Sequence, residues 1–84
     1  MDNWWVYMVR CADGSLYTGI TKNVERRVAQ HNAGEGARYT RGRGPVTLVY
    51  REAAKDRSAA LKREYALKQL QSTAKRGLIA KHDQ

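Results

Sequence analysis

Two runs rich in β-branched and aromatic residues, Trp4–Cys11 (WWVYMVRC) and Ser15–Ile20 (SLYTGI), are separated only by Ala12-Asp13-Gly14. So short a connection reads as the turn of an antiparallel hairpin. The turn then decides which side chains share a face. A two-residue Asp13-Gly14 turn pairs Ala12 with Ser15 and sends Tyr7 and Tyr17 to opposite faces. A three-residue loop with Gly14 as a left-handed bulge pairs Cys11 with Ser15, so that Val9 faces Tyr17 and Tyr7 faces Gly19. Gly14 suits the left-handed position, so the bulged register is the expected one, with both phenols on one face. Gly19 then leaves open space opposite Tyr7, where a backbone or a phosphate can approach.

Downstream, Asn23 is placed to cap a helix from Val24 to about Asn32, with Glu25 in its first turn and Gly34 as its stop. Residues 32–45 (NAGEGARYTRGRGP) hold four glycines, one proline and three arginines, which is loop chemistry. Val46–Tyr50 (VTLVY) reads as a third strand. Asp56 or Ser58 starts a helix of about Ala59–Gln71, and Ser72 is the expected cap of a short last helix through Ala80, which Gly77 weakens. The order ββαβαα predicts an α+β fold, a three-stranded antiparallel sheet flanked by helices. At 84 residues the chain is expected to be one domain, 1–84.

Composition narrows the function classes. Sixteen Lys and Arg against eight Asp and Glu give a formal net charge of +8, and the excess lies beyond residue 20. Hydrophobic residues make up 42%, too many for a disordered basic tail. No apolar run is long enough for a membrane helix, and the start, Met1-Asp2-Asn3-Trp4-Trp5, lacks the features of a signal peptide. The lone Cys11 excludes an internal disulfide and is read as a buried strand residue. A cytoplasmic protein with a polyanionic partner is expected. Lys22, Arg26, Arg38, Arg41 and Arg43 are the candidate phosphate contacts, and Tyr39 is a candidate stacking platform for an unpaired base. Trp4 and Trp5 read as core and edge packing.

Three residues break the pattern of their own helices. Arg27 and His31 lie on the stripe defined by Val24 and Val28, and Glu64 lies within the arc Ala60, Leu61, Tyr65 and Leu67. Charged groups on packed faces need partners. Structural answers are available: an Arg27–Glu64 ion pair, a Glu64–Lys68 pair on one helix, and His31 as a cation near a helix C-terminus. A structural pair does not also need His31 in that place.

Taken together these residues resemble the GIY-YIG nuclease domain family. Trp5-Val6-Tyr7 stands at the first naming tripeptide in degenerate form, and Tyr17-Thr18-Gly19 at the second, with Thr18 in the middle. Arg27 follows eight residues after Gly19, His31 one turn later, and Glu64 on a later helix. The resemblance covers essentially the whole chain, and the stretch Ala37–Pro45 is similar to the small stand-alone bacterial members. It implies metal-dependent hydrolysis of phosphodiester bonds in DNA, with RNA as the alternative ligand. Glu64 would hold one divalent ion, Mg²⁺ or Mn²⁺, and Arg27 would bind the phosphate. Tyr7, with Tyr17, would handle the attacking water, and His31 would accept a proton or orient Tyr7. Several relatives carry an asparagine about a dozen residues past the glutamate, where this chain has Lys75 and Arg76. A binding module that cleaves little is therefore the competing reading. Substrate choice would come from the domain itself or from a protein partner.

Overall fold

The computed structural model describes residues 3–82. Within them the chain forms β1 (Trp4–Arg10), β2 (Leu16–Thr21), α1 (Val24–Asn32), a single 3₁₀ turn (Arg38–Thr40), β3 (Thr47–Ala54), α2 (Arg57–Lys68) and α3 (Ser72–His82). This is the ββαβαα order of an α+β domain, with β1 central in an antiparallel sheet ordered β2-β1-β3. Met1 and Asp2, which enter the signal-segment reading, and Asp83 and Gln84, at the end of the 1–84 domain, lie outside the described residues. No described helix is long and apolar enough to cross a membrane.

The hairpin takes the bulged register. Gly14 has φ +85°, the Cys11 N–H donates to the Ser15 carbonyl at 2.8 Å, and Val9 faces Tyr17 while Tyr7 faces Gly19. Alternation along β1 then divides the molecule into two cores. Tyr7, Val9 and Cys11 pack with Val24 of α1 and Val46, joined by half-buried Trp5, Tyr17, Val28 and Leu48. On the opposite face Val6 packs with Ala60 and Leu67 of α2, bordered by Trp4, Ile20, Tyr50, Ala54 and Leu78. Val9 pairs with Leu48 but Met8 with Tyr50, so Val49 is an extra residue that bulges β3.

Boundaries of β3, α2 and α3 differ from the sequence expectation. Strand β3 continues past Tyr50 to Ala54, because the charges of Arg51 and Glu52 are met by neighbours rather than ending the strand. Arg51 Nη1 donates to Glu25 Oε2 at 2.7 Å, and Glu52 accepts from Arg63 Nε at 3.0 Å and from the Tyr50 hydroxyl. Asp56 is the α2 cap, accepting the Ala59 N–H at 2.8 Å, so the helix starts at Arg57 and ends at Lys68. Ser72 is already helical instead of being the α3 cap, and α3 runs on to His82. The arc read on α2 is also corrected. Ala60 and Leu67 are its buried residues with Glu64 half-buried between them, whereas Leu61 and Tyr65 are exposed, Tyr65 at 69%.

Thr18, opposite Met8, is buried, and its hydroxyl has no hydrogen-bond partner. An unpaired buried hydroxyl costs stability that an isosteric methyl does not. Thr18→Val should therefore stabilise the chain by about 1 kcal/mol in denaturant unfolding, with an unchanged m-value.

Candidate active site

The site is built on the α1 face of the hairpin. Tyr7 is 1% exposed, and its hydroxyl lies 2.7 Å from Nε2 of His31, itself 1% exposed. His31 reaches that depth because α1 is fixed at both ends. Asn23 Oδ1 accepts the Arg26 N–H at 3.0 Å, and the Asn32 side chain brackets Val46, donating to its carbonyl at 3.2 Å and accepting its N–H at 2.7 Å. That bracket ties the end of α1 to the start of β3 and closes the arginine-rich loop between them.

Behind His31, Nδ1 lies 2.7 Å from Thr40 Oγ1, which donates to the Ala37 carbonyl at 2.9 Å. With the proton on Nδ1, one chain runs from the Tyr7 hydroxyl to Nε2, from Nδ1 to Thr40, and from Thr40 to Ala37. With the proton on Nε2, the imidazole donates to the Tyr7 oxygen, and Nδ1 accepts from the Ala37 N–H at 3.3 Å. Either tautomer thus leaves both ring nitrogens hydrogen-bonded. Gly36 is the floor of this arrangement, because a Cβ there would collide with the His31 ring and backbone. Gly19 has the matching role at Tyr7. A Cβ on it would lie 2.7 Å from the Tyr7 oxygen, so the space expected to be open is filled by the phenol itself.

Tyr17 stands edge-on to His31, with centroids 5.4 Å apart, and lies 6.5 Å from the Tyr7 ring. Glu64 approaches from α2 with its side chain 18% exposed and one oxygen 3.2 Å from Lys68 Nζ, which itself sits 5.9 Å over the Tyr17 ring. Burial pushes the Tyr7 phenol up to about 12; the Tyr17 and Glu64 charges add to the rise and the Arg27 guanidinium opposes it. Burial, then Arg27, pushes His31 below its ordinary value, so the imidazole is neutral near pH 7. A neutral buried imidazole is the opposite of a cation satisfying a helix end. The alternative Arg27–Glu64 pair does not form among the described residues: Arg27 donates to Gln30 Oε1 at 3.1 Å, and Glu64 pairs with Lys68.

The structure therefore brings Tyr7, Tyr17, His31, Arg27 and Glu64 to one place. The basic residues lie around it unequally. Lys22, Arg26, Arg38 and Arg41 are exposed and form no ion pair among the described residues. Arg43 is engaged, with Nη1 2.6 Å from Asp13 Oδ2 and its guanidinium 4.4 Å over the Tyr39 ring. Tyr39 also stacks on Tyr17, with centroids 5.8 Å apart, while the residue stays 41% exposed. Among the described residues no group of three or more His, Cys, Asp or Glu could enclose a metal. A single half-exposed carboxylate does fit a hard cation that keeps most of its waters, such as Mg²⁺ or Mn²⁺.

A mixed sheet-and-helix domain presenting a tyrosine–histidine pair beside an arginine and a carboxylate defines a nuclease-type catalytic domain. The model of the GIY-YIG catalytic domain matches residues 3–77, and the chain belongs to that family. It is 64% identical over 77 residues to a UPF0213 protein of Desulfotalea psychrophila, covering 90% of this chain and 70% of that one. A UPF0213 protein of Staphylococcus saprophyticus is 50% identical over 80 residues, covering 95% and 98%. Among solved structures, a UPF0213 protein of Bacillus halodurans is 45% identical with a TM-score of 0.60, covering 93% of this chain and 83% of that one. A protein of E. faecalis is 37% identical with a TM-score of 0.62, covering 100% and 94%.

Thr40 and Gly36 escaped the sequence reading, because they lie in a glycine-rich loop whose path no periodicity gives. The Glu64–Lys68 pair, one of its alternatives, forms at 3.2 Å. The buried imidazole has a consequence for stability. The unfolded chain takes up a proton near His31's ordinary value of 6.5 and the folded chain only below it, so stability falls as pH drops through that window. The melting temperature should decrease from about pH 7 to about pH 5, and less steeply in His31→Gln.

Proposed function

We propose that the chain is a divalent-metal-dependent endonuclease that hydrolyses phosphodiester bonds in DNA, directed by structure or damage rather than by a long sequence. The observation that carries this reading is the buried Tyr7–His31 hydrogen bond at 2.7 Å, with Arg27 and Glu64 both bearing on the same phenol. A purely structural pair needs neither of those charges beside it.

In hydrolysis the oxygen of water bonds to phosphorus, a phosphorus–oxygen ester bond breaks, and the water must lose a proton. Tyr7 stays protonated at neutral pH, since its phenol is pushed up to about 12. It therefore acts through His31. The Tyr7 oxygen accepts the water's proton as its own passes to Nε2, which neutral His31 leaves available. Thr40 supports this by holding the Nδ1 proton. Arg27 offers planar donors to the phosphate as its charge grows. Glu64 is the residue to hold the metal ion, which when bound offsets negative charge on the phosphate and the leaving oxygen. The leaving oxygen takes its proton from solvent. Arg38 and Arg41, exposed on the loop beside Tyr39 and Thr40, are the proposed backbone contacts.

Labelled single-stranded, duplex and branched DNA, incubated with Mg²⁺ or Mn²⁺ and then with chelator, tests this. Products should require metal and fall at least ~100-fold in Arg27→Ala and in Glu64→Gln, both of which should still fold. Products that survive both substitutions would end the enzyme reading, and binding without products would favour the module. Where cleavage is seen, the rate should fall about tenfold per unit below the lowered His31 value, because protonation removes the acceptor, and stay level from about pH 7 to about pH 9.

A further inference from the structure

An open cleft of about 450 Å³ lies between the β2 edge of the sheet and α1, lined by Trp4, Ile20, Lys22, Arg26, Arg27 and Gln30 together with Thr21 and Asn23. We propose that it receives one unpaired nucleotide of the substrate strand, its base stacked on Trp4 and its phosphates met by Lys22 and Arg26. The inference rests on the nuclease reading and adds what that reading leaves open, namely that the strand is single-stranded or frayed next to the cut.

The lining dictates the chemistry of the occupant. It contains three cations, no carboxylate, and one large half-exposed aromatic surface. A flat apolar ring joined to a phosphate satisfies all three conditions, whereas an acidic peptide leaves Trp4 unused. Lys22 Nζ lies 5.5 Å over the Trp4 ring, marking that face as reachable from solvent by a group that an electron-rich surface attracts. Lys22 is exposed and on a flexible stem, so an arriving base displaces it towards the phosphate that accompanies the base.

Position supplies the second half of the argument. Arg27 lines the cleft and also bears on the Tyr7 phenol, so whatever occupies the cleft is adjacent to the reacting phosphate. Within a duplex both faces of every base are covered by its neighbours, so only an unpaired base can stack on a protein ring. Tyr39 carries Tyr17 and Arg43 against its ring and does not line this cleft. Within the cleft Trp4 is the aromatic platform.

Fluorescence anisotropy with a labelled octathymidylate and with a fully paired, blunt-ended DNA duplex, in chelator so that nothing is cut, tests the proposal. Trp4→Ala should weaken octathymidylate binding about tenfold while Trp4→Phe weakens it less than about threefold, and neither should change duplex affinity by more than about twofold. Because Trp4 also packs against the Val6 core, Trp5→Phe provides a second readout in which Trp4 is the sole tryptophan. Its emission should be quenched as octathymidylate saturates. Octathymidylate affinity that ignores Trp4→Ala, or Trp4 emission that ignores the saturating oligonucleotide, would overturn this inference while leaving the nuclease reading in place. Failure to bind either DNA would overturn both.

Discussion

A single hydrogen bond between β1 and α1, from Tyr7 to His31, is the contact on which the rest of the site depends. Both side chains are almost wholly buried, so each finds its standing partner inside the protein. That requirement reaches outward. The imidazole's second nitrogen needs Thr40, Thr40 needs the 3₁₀ turn, and the turn needs Gly36 to pass close to His31. On the strand side the phenol needs a neighbour without a side chain, which Gly19 supplies. The two glycines sit where close approach to this pair leaves no room for a Cβ.

The same wiring joins the loop that carries Arg38 and Arg41 to the Tyr7–His31 pair. Thr40 lies between those two arginines in sequence and touches His31, so the path of the loop and the orientation of the imidazole are set together. The loop is pinned rather than merely connected. Asn32 brackets Val46 at its end, the Ala12 N–H donates to the Arg43 carbonyl at 2.7 Å, and Arg43 closes over Tyr39 while pairing with Asp13. The exposed ion pairs themselves contribute little to stability. Their use is to hold a glycine-rich segment along one path.

Charge and burial divide the labour among the polar groups. Within the site, Tyr7 and His31 are both buried, and burial biases both towards their neutral forms. The cations proposed to meet phosphate, Lys22, Arg26, Arg38 and Arg41, stay exposed. Glu64 falls between these classes, sheltered enough to act on the phenol and open enough to meet a hydrated cation. Its contact with Lys68 offsets part of its charge while no such cation is bound.

The sequence by itself determined the hairpin register, because side chains alternate every residue and only a bulge at Gly14 puts Tyr7 and Tyr17 on one face. It also marked Arg27, His31 and Glu64 as misplaced on apolar faces, since charge on a packed stripe is visible from periodicity alone. The extent of β3 was not legible, because Arg51 and Glu52 look like a strand end until Glu25 and Arg63 are seen opposite them. Nor were the contacts of Tyr39 with Tyr17 and Arg43, or the cleft beside Trp4. Only the tertiary structure decided what lies against each aromatic ring. Helical and strand periods report a residue's face within its own element, while coverage depends on what another element brings against that face.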